Sequence, residues 1–352
     1  MDTHVLDCAI VGGGQAALAT AFYLRREERR GRRTVDFAVF DNQPQPGGAW
    51  QHMWPAMRLF SATTFSNLPG MPMPGYEGFP PPDHVVSYLR EYEQRYNLPV
   101  IRPAHIDRVN FDELTGLFHL HGHYGGTART WRARTVVAAT GTWSAPFVPY
   151  YPGTFKGTQW HTATYPGPER FAGTSVAVVG AANSGAQIAA DLLEFDGEQG
   201  GRGNVTWYVR HAPRWMPDDI DGAELFRRNR ERYHAISAGH TDPGADSSLG
   251  DIVMLPAVRR TRDAGLLRAT PMFDNLDDVS ADHLIWCTGV RPALGPFRGL
   301  LSFAGDAPSP QPPGLFLVGY GDWVGPGSAT ITGVGVYAKR VAAEVVATIR
   351  GQ

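Results

Sequence analysis

The sequence has few cysteines, a small net charge and no long apolar run. Its 352 residues include only Cys8 and Cys287, each within an apolar stretch predicted to be a strand. A disulfide framework is therefore not expected, whereas a reducing, cytoplasmic location is expected. The formal charge of -2 offers no basic excess for binding nucleic acid. Without a charged-then-apolar leader or an apolar run of about eighteen residues, neither export nor membrane insertion is expected.

Two copies of one local pattern are present instead. An apolar stretch, a glycine turn, a segment with helical spacing and a second apolar stretch follow one another over residues 7–40, and the same order returns over residues 175–209. Each copy predicts a βαβ unit. The fold class expected is therefore α/β, with two Rossmann-like dinucleotide-binding domains.

Three further segments are defined by composition or spacing. Residues 44–82 are crowded with proline, glycine, methionine and aromatic side chains, and their apolar surface favours a long ordered loop over a disordered one. Residues 236–250 have no periodicity and predict a mobile loop or insertion. Helices are predicted after Asp83, taken as the N-cap, and from about residue 330 to residue 349.

The first glycine turn has the dinucleotide fingerprint Gly12-x-Gly14-x-x-Ala17, directly after a strand and at the start of a helix. Gly12 permits the tight turn, Gly14 lets the backbone approach a pyrophosphate, and Ala17 allows close packing of the helix. Asp41 ends the next strand, where a carboxylate accepts hydrogen bonds from a ribose. The pattern predicts FAD or NAD.

The second glycine turn departs from the fingerprint. Gly180-x-x-Asn183-Ser184-Gly185 follows the second strand, but Ala182 replaces the middle glycine. Arg210 and Arg214 occupy the place of the acidic residue, and basic groups there favour the 2′-phosphate of NADPH over NADH. The alternative is that both arginines are solvated surface charges.

A longer motif lies between the two units. Phe155-x-Gly157-x-x-x-His161-x-x-x-Tyr165 resembles the identifying sequence of flavin-containing monooxygenases. Residues 47–50, 139–141 and 286–289 resemble further elements of that family. The segments GDIVMLPAV, IWCTGVRPAL and LVGYGDW are similar to the flavin monooxygenases associated with arsenic-resistance operons.

The resemblance implies an FAD-binding domain of residues 1–152 and 285–352, into which residues 153–284 are inserted as an NADPH-binding domain. It implies that NADPH reduces the flavin and that O2 then forms a C4a-hydroperoxyflavin. The hydroperoxyflavin would transfer one oxygen atom to a soft nucleophilic small molecule, which could be a trivalent arsenical, a sulfide or an amine. The oligomeric state, monomer or homodimer, is left open.

The resemblance also suggests site residues. Asp322 would hold the ribityl chain, the helix start near Ala329 and Thr330 would face the flavin, and Asn67, Ser61 and His161 are the catalytic candidates, with His161 shaping the NADP junction. The residues expected to bind the two cofactors are Gly12, Gly14, Gln15, Ala17, Asp41, Gly48, Trp50, Arg58, Thr140, Gly141, Gly180, Asn183, Ser184, Gly185, Arg210, Arg214, Asp322, Ala329 and Thr330.

Several alternatives remain. A disulfide reductase needs a pair of redox cysteines near the flavin, which this sequence lacks. An NADPH oxidase, a quinone reductase or a non-catalytic redox sensor fits the same motifs. His119, His121 and His123 alternate along a predicted strand and share one face, but an exposed hairpin face is the simpler interpretation, so no metal site is predicted.

Overall fold

The computed structural model describes residues 4–29, 34–200, 204–220, 222–244, 249–305 and 307–351. The helices are α1 Gln15–Arg29, α2 Pro82–Arg95, α3 Asn183–Glu198, α4 Gly222–Ser237, α5 Pro256–Asp263 and α6 Val334–Gly351. The strands are β1 Val5–Val11, β2 Phe37–Phe40, β3 Val100–Ile101, β4 Ala104–Asp112, β5 Leu117–Tyr124, β6 Thr127–Ala138, β7 Thr158–His161, β8 Val176–Val179, β9 Val205–Val209, β10 Ala269–Pro271, β11 His283–Trp286, β12 Leu301–Ala304, β13 Ala307–Pro310 and β14 Leu315–Leu317.

The first sheet has the order β3-β2-β1-β6-β5-β4, with β14 also paired to β6. β1 runs parallel to β2 and to β6, whereas β4, β5 and β6 form an antiparallel meander. Helix α1 crosses from β1 to β2 and packs on α6. Its face toward α6 and the sheet is rich in small residues, and Ala17, Ala19 and Ala21 are completely buried. Such small side chains allow close packing, so the glycine turn at the carboxyl end of β1 is held firmly.

The second sheet has the order β10-β9-β8-β11-β7, and all its strands are parallel. Helix α3 connects β8 to β9, which confirms the second βαβ unit and with it the predicted α/β fold class. The expected domain boundary after residue 284 falls inside β11, which pairs with both β7 and β8. The chain therefore leaves this sheet only after Trp286.

The long segment 44–82 has a defined backbone, as predicted, and four of its six aromatic residues pack on the hydrophobic cores: Trp50, Trp54, Phe60 and Phe79. Trp54 is buried, whereas Phe65 and Tyr76 are exposed. The buried side chains are mainly aliphatic, including Leu59 and Leu68. The following helix begins with Pro81 as its N-cap, so Asp83 lies inside the first turn and not at the cap.

Two other predictions differ in their bounds. The closing helix begins at Val334, because residues 330–333 form turns. Residues 245–248 of the predicted mobile loop lie outside the described residues, and the first residues of that segment belong to the end of α4. Helix α4 itself was not predicted, since its sequence is largely polar.

A row of tyrosines on α2 fixes the segment before it. Tyr88 accepts a hydrogen bond from the Leu68 N–H (2.7 Å) and donates one to the Met71 carbonyl (2.7 Å). Tyr92 and Tyr96, which follow at spacings of one helical turn, donate to the carbonyls of Pro69 and Gly70. These bonds satisfy backbone groups that form no ladder of their own.

Replacing Tyr88 by phenylalanine is expected to destabilise the protein by about 1–3 kcal/mol, because the buried Leu68 N–H loses its acceptor. Equilibrium urea unfolding measures the change. Tyr96→Phe is the matched control: its hydroxyl is solvent-accessible and bonds only to Gly70, so a loss below about 1 kcal/mol is expected. Equal losses in the two variants would contradict this account.

Candidate functional site

A cavity of about 280 Å³ opens at the carboxyl end of β1. It is bordered by the glycine turn, by the segment after β2, by the residues that follow β6 and by the turn before α6. The lining residues include Gly12, Gly13, Gly14, Gln15, Asp41, Asn42, Gly48, Trp50, Met53, Thr140, Gly141, Trp143, Gly319 and Ala329. The carboxyl edge of a parallel sheet is where α/β folds bind nucleotides.

The glycines that border this cavity differ in whether the fold itself requires a residue without a Cβ. Gly12 has a φ of 113°, and a Cβ there would lie 2.2 Å from the Ala139 carbonyl oxygen. Gly48 has a φ of 53°, and its Cβ would lie 2.8 Å from the Cα of Gly14. A Cβ on Gly14 would meet no protein atom within 4 Å. Gly14 therefore faces the open cavity, so the fold does not require a glycine at this position.

Asp41 lies at the end of β2 and borders the cavity, although it is only 2% exposed. Its carboxylate accepts hydrogen bonds from Arg102 Nε (3.1 Å) and from the Gln43 N–H (3.1 Å). Arg102 is held in turn by Glu93 on α2. Burial raises the pKa of Asp41, and Arg102 and the Gln43 N–H lower it. This network orients the carboxylate beside the cavity.

Gln15 connects three distant parts of the cavity wall. Its Nε2 donates to the Ala329 carbonyl (2.7 Å), and its Oε1 accepts from Trp50 Nε1 (2.9 Å). Thr140, on another wall, bonds to the Tyr320 hydroxyl and donates to the Ala293 carbonyl. The indole of Trp50 and the turn before α6 are thus fixed relative to the first helix.

A second cavity, of about 450 Å³, lies at the carboxyl end of β8 in the second sheet. Gly180 has a φ of 144°, and a Cβ on it would lie 2.4 Å from the Cys287 carbonyl oxygen. A Cβ on Gly185 would lie 2.1 Å from the Gly180 carbonyl oxygen. Ala182 occupies the N-cap of α3 with extended backbone and borders the cavity with Asn183 and Ser184. Alanine at this position is therefore compatible with the turn.

The two arginines after β9 have different surroundings. Arg210 borders the second cavity and donates to the Tyr151 hydroxyl through Nε (3.2 Å) and Nη2 (2.9 Å). Arg214 forms a two-point ion pair with Asp251 and is not among the residues that border this cavity. The Arg214 guanidinium is thus bound to Asp251 in the loop before α5, and the structure gives no support to an NADPH contact of Arg214.

His161 ends β7 and is 6% exposed. Its Nδ1 accepts a hydrogen bond from the Ala163 N–H (3.0 Å), so the ring proton resides on Nε2, which donates to the Gly289 carbonyl (2.9 Å). Burial lowers the pKa of the imidazole. Both nitrogens are therefore occupied, and His161 is a positioning residue for the loop of Gly289, which borders the second cavity. The structure gives no support to a catalytic role for His161.

Replacing His161 by glutamine should change how stability depends on pH. Because burial lowers the folded-state pKa of His161, the unfolded chain takes up its proton first as the pH falls below the ordinary value of 6.5. The wild type should lose stability through that window, and the variant should lose less. Thermal unfolding of both proteins across the pH range measures the difference between their stability profiles. The contributions of all other titrating groups are the same in both proteins and cancel in this difference. Parallel pH profiles would contradict the neutral, buried imidazole.

The other residues of the 155–165 motif have packing roles. A Cβ on Gly157 would lie 2.2 Å from the Asp282 carbonyl oxygen. Phe155 and Tyr165 are buried, and the Tyr165 hydroxyl donates to Asp191 of α3 (2.9 Å). Burial raises the pKa of Asp191 to about 6. The motif thus docks its own segment onto the second sheet and α3.

Three predicted residues contact their own loops. The amide of Asn67 donates to the Thr64 carbonyl and accepts from the Met73 N–H, so both ends are engaged. Ser61 is buried against the Ser66 hydroxyl. Arg58 donates to the carbonyls of Pro55 and Met57. None of the three borders the two cavities described above, so the structure gives no support to a catalytic role for Asn67 or Ser61 or to a flavin contact of Arg58.

The structure also gives no support to two predicted flavin contacts near the C-terminus. The side chain of Asp322 is 71% exposed and lies 3.6 Å from Arg232 of α4. It does not border the first cavity, whereas Gly319, three residues earlier, does. Thr330 borders a different cavity, and only its neighbour Ala329 faces the first one.

Sequence reasoning missed some residues of both cavities. Trp143, which stacks on His52, borders the first cavity, and Tyr151 borders the second. The position of Gly319 directly after a predicted strand was a signal from which its place in the first cavity could have been predicted. The sequence carries no comparable signal for Arg102, because its partner Asp41 is 61 residues away.

Two sheets, each with a glycine turn that opens into a cavity at the carboxyl edge of its parallel strands, define an FAD- and NAD(P)-binding oxidoreductase of the two-domain flavoprotein class. Comparison with known proteins agrees. The family model described as "Pyridine nucleotide-disulphide oxidoreductase" matches residues 9–234. A solved flavin-containing monooxygenase from Stenotrophomonas maltophilia is 35% identical, covers 98% of this chain and 99% of its own, and superposes with a TM-score of 0.79.

Two curated proteins extend the comparison. An uncharacterized CzcO-like oxidoreductase of Geobacillus kaustophilus is 29% identical over 81% of either chain. Indole-3-pyruvate monooxygenase YUCCA1 of rice is 30% identical over 229 residues, which span 64% of this chain and about half (53%) of the rice protein. The chain belongs to the flavin monooxygenase family.

The chain is therefore an FAD-dependent oxidoreductase, and FAD and NADPH are the cofactors with which this family works. Among the described residues, no helix is both long and apolar enough to cross a membrane. Within the same part of the chain, no group of three or more histidine, cysteine or acidic residues is arranged to hold a metal ion.

Proposed function

We propose that this protein is an NADPH-dependent flavin monooxygenase that transfers one oxygen atom from O2 to a soft nucleophilic small molecule. One atom of O2 forms a bond to the substrate, and the other leaves as water with the two electrons that NADPH supplies. The observation that carries the proposal is the pair of glycine-turn cavities, one for each nucleotide, joined by the 155–165 motif.

The first cavity suits FAD. The open space in front of Gly14 accommodates a pyrophosphate, and the Asp41 carboxylate beside it suits the hydroxyls of a ribose. Gln15, Trp50 and Ala329 would border the flavin end of the molecule. When bound, the flavin accepts hydride and activates oxygen. The protein residues contribute positioning and the exclusion of water.

The second cavity suits a nicotinamide nucleotide. Asn183 and Ser184 lie at the N-terminus of α3, where backbone N–H groups favour a pyrophosphate. Arg210, exposed at the end of β9, has the position and charge to bind a 2′-phosphate. We extend the proposal to the domain division: residues 1–152 and 287–352 bind FAD, and residues 153–286 bind NADPH.

The chain offers no cysteine pair for disulfide chemistry. Cys8 lies in β1 and Cys287 follows β11, and both thiols are free and buried. Burial raises the pKa of each to about 12. Neither thiol is therefore a nucleophile at neutral pH. Free buried thiols are also consistent with a cytoplasmic location, which we propose.

The proposal is tested by the balance of products. Purified holoenzyme with NADPH and O2 should form one oxygenated product per NADPH when an acceptable sulfide, amine or trivalent arsenical is present, and release little H2O2. NADPH oxidation, H2O2 and product are measured in the same vessel. Stoichiometric H2O2 with every acceptor would contradict the proposal and identify an NADPH oxidase, whereas oxygen-independent reduction of quinones would identify a quinone reductase.

A further inference from the structure

A third cavity lies between α4 and the turn that precedes α6. Its volume is about 270 Å³, and it is largely apolar. The turn and α6 contribute five of its lining residues, among them Pro326, Thr330 and Val336, and one face of α4 contributes four, among them Phe226, Asn229 and Tyr233. Neither glycine-turn motif contributes to it, so it lies outside the nucleotide cavities.

This third cavity adjoins the flavin cavity through a single turn. Ala329 borders the flavin cavity, and the next residue, Thr330, borders the third cavity. The turn is tied to the first helix by the bond from Gln15 to the Ala329 carbonyl (2.7 Å). A molecule in the third cavity would therefore lie beside the part of the chain that faces the flavin.

Contacts with neighbouring side chains fix the residues that form the apolar walls of the third cavity. Phe226 contacts Phe60, with ring centroids 6.0 Å apart. Tyr233 packs edge-on against Tyr337 at 5.3 Å, and the Tyr337 hydroxyl donates to the Pro326 carbonyl (2.9 Å). These contacts give the cavity a defined shape before any ligand binds. Preformed apolar cavities with few polar groups are typical of small-molecule sites.

The chemistry of the lining selects among the proposed substrates. No cysteine borders the cavity, so a trivalent arsenical would find no thiolate ligand there. Apolar and aromatic walls instead favour an uncharged aryl or alkyl group. Arg230 also borders the cavity and is exposed, and its neighbours one helical turn away, at positions 226, 227, 233 and 234, carry no carboxylate. Its guanidinium suits an anionic end of the ligand.

We infer that the third cavity binds the oxygen-accepting substrate, and that this substrate is an apolar organic molecule such as a thioether, with any carboxylate directed to Arg230. The inference rests on the oxygen transfer proposed above and names the class of its substrate.

The test uses the holoenzyme and two probes, methyl phenyl sulfide and 4-(methylthio)benzoate. Val336→Trp fills the cavity from an exposed position, where the fold tolerates a larger side chain (Val336 is 41% exposed). It should weaken calorimetrically measured binding of both probes and lower kcat/KM for sulfoxide formation by about tenfold or more. Flavin content and the KM for NADPH should not change. Arg230→Gln should weaken binding of the benzoate only.

Leu114→Trp is the matched control, because Leu114 is 99% exposed on the hairpin between β4 and β5. It should bind and oxygenate both probes as the wild type does. The inference is overturned if Val336→Trp binds both probes like the wild type, or if the wild type binds neither. Binding that is lost in Val336→Trp, without oxygenation by the wild type, would support the cavity and contradict the proposed monooxygenase reaction instead.

Discussion

Replacing Gly14 by alanine is expected to remove FAD from the protein without unfolding it. A Cβ on Gly14 would meet no protein atom within 4 Å, because it points into the cavity proposed for the pyrophosphate. The methyl group should therefore exclude the ligand and not strain the chain. We expect the Kd for FAD to rise at least about tenfold, which corresponds to about 1.4 kcal/mol. Fluorescence titration of the apoprotein with FAD measures it.

Gly12→Ala is the informative comparison for Gly14→Ala. At a φ of 113°, with a Cβ 2.2 Å from the Ala139 carbonyl oxygen, alanine requires the turn to move. The Gly12 variant should lose both FAD and thermal stability of the apoprotein, whereas the Gly14 variant should lose only FAD. If the Gly14 variant binds FAD like the wild type, the pyrophosphate does not lie in front of that glycine.

Replacing Arg210 by glutamine is expected to abolish the preference for NADPH over NADH that we propose for this protein. Arg210 is held at the rim of the second cavity by Tyr151, and its guanidinium remains able to meet a phosphate. A hydrogen bond to a charged group contributes about 1.5–3 kcal/mol. The KM for NADPH should therefore rise by about ten- to a hundredfold, while the KM for NADH changes little. Steady-state NAD(P)H oxidation with both nucleotides measures the ratio.

Arg214→Gln serves as the control for Arg210→Gln. The two residues lie four positions apart and carry the same charge, but Arg214 is paired with Asp251 and does not border the cavity. Its loss should leave the NADPH to NADH ratio unchanged. A change in selectivity caused by Arg214→Gln, with none caused by Arg210→Gln, would reverse the assignment.

The fold and the two nucleotide turns could be predicted from sequence because their signals are local. The fingerprint around Gly12 lies within a few residues of its strand and helix, and so does the turn at Gly180. Their steric reasons, the close approaches to Ala139 and Cys287, involve residues that follow β6 and β11, two strands outside the βαβ units, so the local pattern did not show them. The family motif from Phe155 to Tyr165 is local in the same sense.

Roles that depend on side-chain direction could not be predicted. Arg210 and Arg214 are equivalent in sequence, and only the tertiary position of Asp251 separates them. Asp322 was expected in the flavin cavity, but the turn that contains it points the carboxylate toward α4, so that Gly319 occupies the cavity wall instead. Asn67 and Ser61 lie in an irregular segment whose own groups take up their polar atoms: backbone groups engage the Asn67 amide, and the Ser66 hydroxyl engages Ser61.

The bridge made by Gln15 also has a consequence for biosynthesis. The residues it joins, Gln15 and Ala329, are 314 positions apart, and Gly319 follows β14, which pairs with β6 of the first sheet. A nascent chain emerges from the ribosome with its N-terminal part first. The first βαβ unit is therefore synthesised long before the last wall of its cavity, so the complete flavin cavity can form only after residue 329 has been added to the chain.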